Sequence, residues 1–85
     1  MLEAQGTYDE ALKLDQEDLR ISKKALGDEH PSVATTLWNM GALFKSMGRL
    51  SDAAAHLENA LSIFTSTVGP EHPSTKGVKE WLDGL

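Results

Sequence analysis

The chain has no cysteine, only 6% aromatic residues and three prolines in 85 positions. Without cysteine there is no disulfide framework and no thiolate metal site, which fits a reducing, cytoplasmic setting. Basic residues are also scarce: 8 Lys+Arg stand against 13 Asp+Glu, a formal net charge of −5. That balance argues against a nucleic-acid backbone or an anionic membrane surface as partner. No apolar run approaches the ~18 residues that a bilayer-spanning helix needs. The opening Met1-Leu2-Glu3-Ala4-Gln5-Gly6 has neither the basic nor the apolar segment of a signal peptide. A chain this short buries only about 60–65% of its unfolded surface, so it supports one small domain with a modest core.

What the chain does have is internal repetition. Slid against itself by 42 residues, it matches at Gly6/Gly48, Ala11/Ala53, Leu19/Leu61, Ile21/Ile63, Gly27/Gly69, Glu29/Glu71, His30/His72, Pro31/Pro73, Ser32/Ser74 and Leu43/Leu85. Half of these fall in one run, Gly27-Asp28-Glu29-His30-Pro31-Ser32 against Gly69-Pro70-Glu71-His72-Pro73-Ser74. The shared residues are chemically varied, so low complexity does not account for the match. The chain is about two copies of one supersecondary unit.

Each unit reads as a pair of helices. Val33, Leu37, Met40, Phe44 and Met47 step by four and three, one stripe of a helix between Pro31 and Gly48. Pro31 suits the first turn, and Gly48 suits a left-handed stop. Leu50, Ala53, Leu57, Ala60/Leu61, Phe64 and Val68 form the stripe of the next helix, with Ser51 as its expected N-cap and Gly69-Pro70 as its end. The first helix is expected from Thr7, its cap, to about Ala25. Its apolar residues are Tyr8, Ala11, Leu12, Leu14, Leu19, Ile21 and Leu26. A last helix, about Ser74 to Asp83, carries Val78, Trp81, Leu82 and Leu85. The connections are short, so consecutive helices lie antiparallel. The fold class is all-α: four helices and no strand.

Leu37, Met40, Gly41 and Phe44, followed by Gly48, Leu50, Ala53, Leu57 and Ala60, resemble the tetratricopeptide repeat (TPR) signature. Gly41 and Ala53 match its small positions, where helices cross closely; Phe44 and Leu57 match its large ones. The stretch from Gly27 to Met40, with Gly69-Pro70-Glu71-His72-Pro73 after it, narrows the resemblance to the 42-residue variety typical of kinesin light chains. The resemblance implies antiparallel helix hairpins of a right-handed superhelix, one domain over residues 1–85, with units at about 6–47 and 48–85 beginning on the second helix of a repeat.

The chain departs from that pattern in three places. Asp15 and Asp18 stand where Leu57 and Ala60 stand in the second copy. In the last helix, Lys79 stands where Leu37 predicts an apolar residue, and Val78, Trp81 and Leu82 make a shifted, cap-like stripe. Leu2 aligns with Phe44 and Leu85 with Leu43, so the chain opens near the end of one first-type helix and closes inside another. Two readings fit: a fragment of a longer array, or a genuine short protein, which Asp15 and Asp18 favour. Either way one apolar flank of the first helix, including Tyr8 and Ala11, is expected to be exposed.

The resemblance also implies a function. In the family the first helix of each repeat lines a concave groove for an extended peptide. Carried over, the groove face is Thr35, Trp38, Asn39, Ala42, Lys45 and Ser46, with Asn39 as the amide that engages peptide backbone. The competing reading of Asn39 and Trp38 is packing between repeats, and that of Lys45 is a solvated lysine. The partner expected is a protein or peptide. The alternative is self-association, as a homodimer or stacked array, through open repeat ends.

No residues suggest catalysis or a cofactor. Asp9, Glu10, Asp15, Glu17 and Asp18 read as a solvated acidic face rather than a converging acid/base pair. His30 and His72 precede prolines and suit N-caps. With Glu29 and Glu71 they lie a repeat apart, where zinc needs three or four ligands at one point. His56 reads as a surface histidine.

Overall fold

The structure, a computed structural model, describes the backbone of residues 2–85 and the side chains from Thr7 onward. Four α-helices follow one another: α1 (Leu2–Leu26), α2 (Pro31–Ser46), α3 (Leu50–Thr67) and α4 (Pro73–Asp83). No strand occurs among the described residues. Each helix packs on the next, and α2 and α3 share the most extensive interface. Among the described residues no helix is long and apolar enough to cross a membrane.

The two histidine–proline turns are built alike. His30 and His72 are extended N-caps, and the Nδ1 of each accepts the backbone N–H two residues on, from Ser32 and Ser74, at 3.1 Å in both. An extended backbone before proline and an acceptor aimed at the first turn's open N–H groups are what a cap requires. The helix stops are equally repetitive: Gly27 and Gly69 have φ of 93° and 94°, a left-handed setting that favours glycine. Gly48, at φ 82°, closes α2 with two bonds, Arg49 N–H to Phe44 O at 2.9 Å and Gly48 N–H to Lys45 O at 3.0 Å.

Three local expectations change. Thr7 is not a cap: α1 runs unbroken through Gly6 and Thr7. At Gly48 a reversal lets α3 fold back and bury Leu57 against α2; the matching residue after Gly6 is Asp15, which gains nothing from such a reversal. A mid-helix glycine costs only about 1 kcal/mol, so the helix continues. Ser51 is not a cap either. The Gly48 stop delivers Arg49 directly into the N-cap position, α3 begins at Leu50, and Arg49 pairs with Asp52 at 2.7 Å. Asp52 in the first turn also complements the helix dipole. Finally, Tyr8 and Ala11 are half-buried; the exposed large apolar residues among the described side chains of α1 are Leu14, Ile21 and Leu26. The equivalence of Leu2 with Phe44 lies outside the described side chains.

The core sits in the α2–α3 hairpin and extends to α4. Val33, Ala34, Leu37, Leu57, Ala60, Ile63, Phe64 and Val78 form one buried cluster; Met40, Phe44 and Ala53 form a second. Leu12 and Leu19 of α1 pack onto this core. Gly41 marks a close crossing of α2 and α3: a Cβ there would lie 2.8 Å from the Cγ and Cδ2 of Leu57. In α4 the buried face is Thr75 and Val78, with Leu82 half-buried, while Lys79 points to water. Thr75 takes the place of Val33, and its hydroxyl is satisfied by donating to Gly69 O at 2.8 Å.

Candidate interaction surface

The six residues carried over to the groove face occupy one side of α2, but they play different parts. Asn39 is exposed, and its amide has no hydrogen-bond partner among the described residues. It therefore offers a donor and an acceptor together, the complement of a peptide unit. Ser46 is exposed and Ala42 half-buried. Thr35 is exposed, but its hydroxyl donates to Pro31 O at 3.1 Å within the same helix.

Trp38 is a packing residue. Its ring meets Phe64 edge-on, centroids 6.2 Å apart at 82°, the favoured geometry of an aromatic pair. Its far edge lies over Gly77 of α4, where a Cβ would come within 2.7 Å of Cη2. The indole thus bridges α3 and α4 and sets the spacing of the two first-type helices. The sequence signal for this was Gly77 itself, a glycine inside a helical stretch, which marks a close approach.

Lys45 is more than a solvated lysine. Its ammonium sits 5.0 Å from the ring centroid of Trp81, across from α2 to α4. The contact is partly exposed, and such cation–π pairs contribute about 0.5–1 kcal/mol. Lys45, Trp81, Glu80 and Gly84 line an open cleft of about 250 Å³. Trp81 stands 42 residues after Asn39, so the α4 counterpart of the groove asparagine is an aromatic ring. Placing Trp81 in the shifted, cap-like stripe of the last helix did not show this; the ring is 36% exposed at the edge of the cleft.

The histidines are otherwise engaged. His30 and His72 each serve as caps through Nδ1. His56 is half-buried rather than a surface residue: Nδ1 donates to Asp52 O at 2.8 Å, and its ring lies 4.9 Å from Phe44. Arg49 covers Phe44 at 5.0 Å to the ring centroid. Among the described residues no group of three or more His, Asp or Glu side chains converges as a metal site would require. The Asp15 carboxyl is pushed above its ordinary value, first by partial burial and then by the neighbouring Asp18.

Comparison with known proteins gives a consistent result. A family model described as tetratricopeptide repeat matches residues 1–66. The chain is 33% identical over 78 residues to Protein KINESIN LIGHT CHAIN-RELATED 1 of Arabidopsis thaliana, covering 92% of this chain and 12% of that protein. It is 34% identical over 59 residues to Protein KINESIN LIGHT CHAIN-RELATED 3 of the same plant, covering 69% and 9%. A clustered mitochondria protein homolog of Neurospora crassa is 27% identical over 85 residues, covering 100% of this chain and 7% of that protein. The chain thus spans 12% or less of the length of each of these relatives.

Proposed function

We propose that this chain, which belongs to the tetratricopeptide repeat family and is of the kinesin light chain-like type, binds an extended peptide or partner-protein segment across the face shared by α2 and α4. Family membership makes it a protein-interaction module; the choice of face and residues is our reading. The observation that carries it is Asn39: an exposed amide with no hydrogen-bond partner among the described residues, on the face of α2 that turns toward Trp81. The two-helix unit at about 48–85 supplies the opposite wall through Trp81, with Trp38 against Gly77 holding the walls at fixed spacing.

In this reading Asn39 engages a peptide N–H and C=O, Trp81 receives an apolar or aromatic side chain, and Lys45 meets an acidic group or terminal carboxylate. With a single complete first-type helix in the core hairpin, affinity is modest. The test is selection from a random-peptide display library, followed by titration of the recovered peptides. Asn39→Ala and Trp81→Ala should weaken them by about tenfold, roughly 1.4 kcal/mol, with helicity unchanged. Peptides that bind both variants as tightly as the parent chain would place the site elsewhere.

A further inference from the structure

The outer faces of α1 and α4 carry opposite charge at the positions where α2 and α3 meet through apolar residues. In the central hairpin Ala34 and Leu37 of α2 pack in one buried cluster with Leu57 and Ala60 of α3. Forty-two residues beyond Ala34 and Leu37 stand Lys76 and Lys79; forty-two before Leu57 and Ala60 stand Asp15 and Asp18. Lys76, Lys79 and Asp18 are exposed and Asp15 is half-buried. We propose that α4 of one copy docks on α1 of a second copy, in the register of α2 on α3 but at a wider spacing because Asp83 stands at the Gly41 position, with Lys76 and Lys79 facing Asp15 and Asp18.

Charge complementarity is the main argument for a second copy as occupant. Within one copy the two acids are neighbours of like sign at i and i+3, which is unfavourable on a helix. The raised Asp15 carboxyl reflects partial burial first and that crowding second. Lys76 has only an exposed contact with Glu71 at 3.4 Å, a pair that contributes little and is readily exchanged. The apolar part fits as well. In the hairpin Leu37 and Ile63 line one depression; in the docked pair the aliphatic stem of Lys79 lies along Ile21, which is 53% exposed in the single copy.

Two features set the strength and form of the contact. Asp83 occupies the Gly41 position, and there it opposes Asp15. The net charge of −5 also resists stacking. The contact is therefore weak. It is also heterologous, so each docking leaves one α1 and one α4 open and growth does not stop at a dimer. It lies away from the α2–α4 groove and does not rest on the peptide reading.

The test is sedimentation velocity of the chain from micromolar to millimolar concentration at low salt, with circular dichroism to check helicity. The average mass of the parent chain should climb past the dimer. Asp15→Lys with Asp18→Lys, or Lys76→Glu with Lys79→Glu, should each weaken association by about tenfold, which corresponds to ~1.4 kcal/mol. Mixing the two variants pairs Lys against Asp and Lys against Glu and should restore it. Asp83→Ala should strengthen it, and Asn39→Ala should leave it unchanged. Should a double variant lose helicity, Asp18→Lys and Lys79→Glu, both at exposed sites, repeat the mixing test singly. A parent chain monomeric throughout, or a mixture no more associated than its separate components, overturns the proposal.

Discussion

Helices α1 and α3 are counterparts 42 residues apart, and the same positions have opposite fates in them. Leu57 is 0% exposed between α2 and α3, while Asp15, its counterpart, is a half-buried carboxylate. Ile63 is 6% exposed and Ile21 53%. Ala60 and Phe64 are buried; Asp18 is exposed and Ser22 half-buried. The residues facing the next helix stay apolar in both: Leu19 of α1 and Leu61 of α3 each pack on the core. A second-type helix thus has two separable faces, one toward the first-type helix before it and one toward the helix after it. In α1 the latter stays apolar, while the former keeps Ile21 but carries Asp15 and Asp18 in place of Leu57 and Ala60. The same division appears at the other end, where α4 keeps Thr75, Val78 and Leu82 toward α3 and presents Lys76, Lys79 and Asp83 outward.

The largest expected difference is at the paired positions themselves. Leu57→Ala should cost about 2–5 kcal/mol, because it opens a cavity at a fully buried site. Asp15→Leu, at the equivalent place, should leave urea-induced unfolding unchanged or shift it to higher denaturant. An Asp15→Leu chain as destabilised as Leu57→Ala would break the comparison. Next in size are the close approaches. Gly41→Ala and Gly77→Ala each place a Cβ under 3.0 Å from Leu57 or Trp38, and each should cost about 1–3 kcal/mol in thermal or urea unfolding.

Smaller again are the repeated caps. His30→Ala removes the acceptor for Ser32 N–H and should cost about 0.5–2 kcal/mol. His72→Ala should cost no more, since α4 contributes fewer buried side chains than α2. The smallest effect is electrostatic. Asp15 has a folded pKa raised above the ordinary carboxylate value, by partial burial and then by Asp18, so its ionised form disfavours folding. The parent chain should therefore gain stability relative to Asp15→Asn as pH falls through the folded titration of Asp15. The gain is complete below the unfolded value. Melting temperatures of the two proteins compared across acid pH check the sign.

Most of the fold was legible because the 42-residue match combines two kinds of signal. Pro31, Pro73, Gly27, Gly48 and Gly69 act through their own backbones, so their roles needed no tertiary context. Leu37, Phe44 and Leu57 read as core from helical spacing alone. Cap identity was not legible at Ser51, because it depends on how tightly the Gly48 stop returns the chain to helix. Nor was it at Thr7, where a glycine that would end a packed helix is carried inside an extended one. In the candidate surface, Asn39 and Lys45 came from the resemblance to the repeat family, carried over position by position onto α2. Trp81 and the Trp38–Gly77 contact were not legible, since they depend on how α4 is rotated against α2, and the stripe of α4 does not follow that of α2.

The central claim is that equivalent positions in α1 and α3 differ because one face of α1 carries Asp15 and Asp18 where α3 carries Leu57 and Ala60, while the backbone plan is shared. Amide hydrogen exchange under native conditions reads this residue by residue. The buried amides of α2 and α3 should exchange only through global unfolding, and those of α1 at positions 42 residues earlier should exchange faster through a separate, smaller opening. Equal protection in α1 and α3, rising and falling together with denaturant, would contradict it.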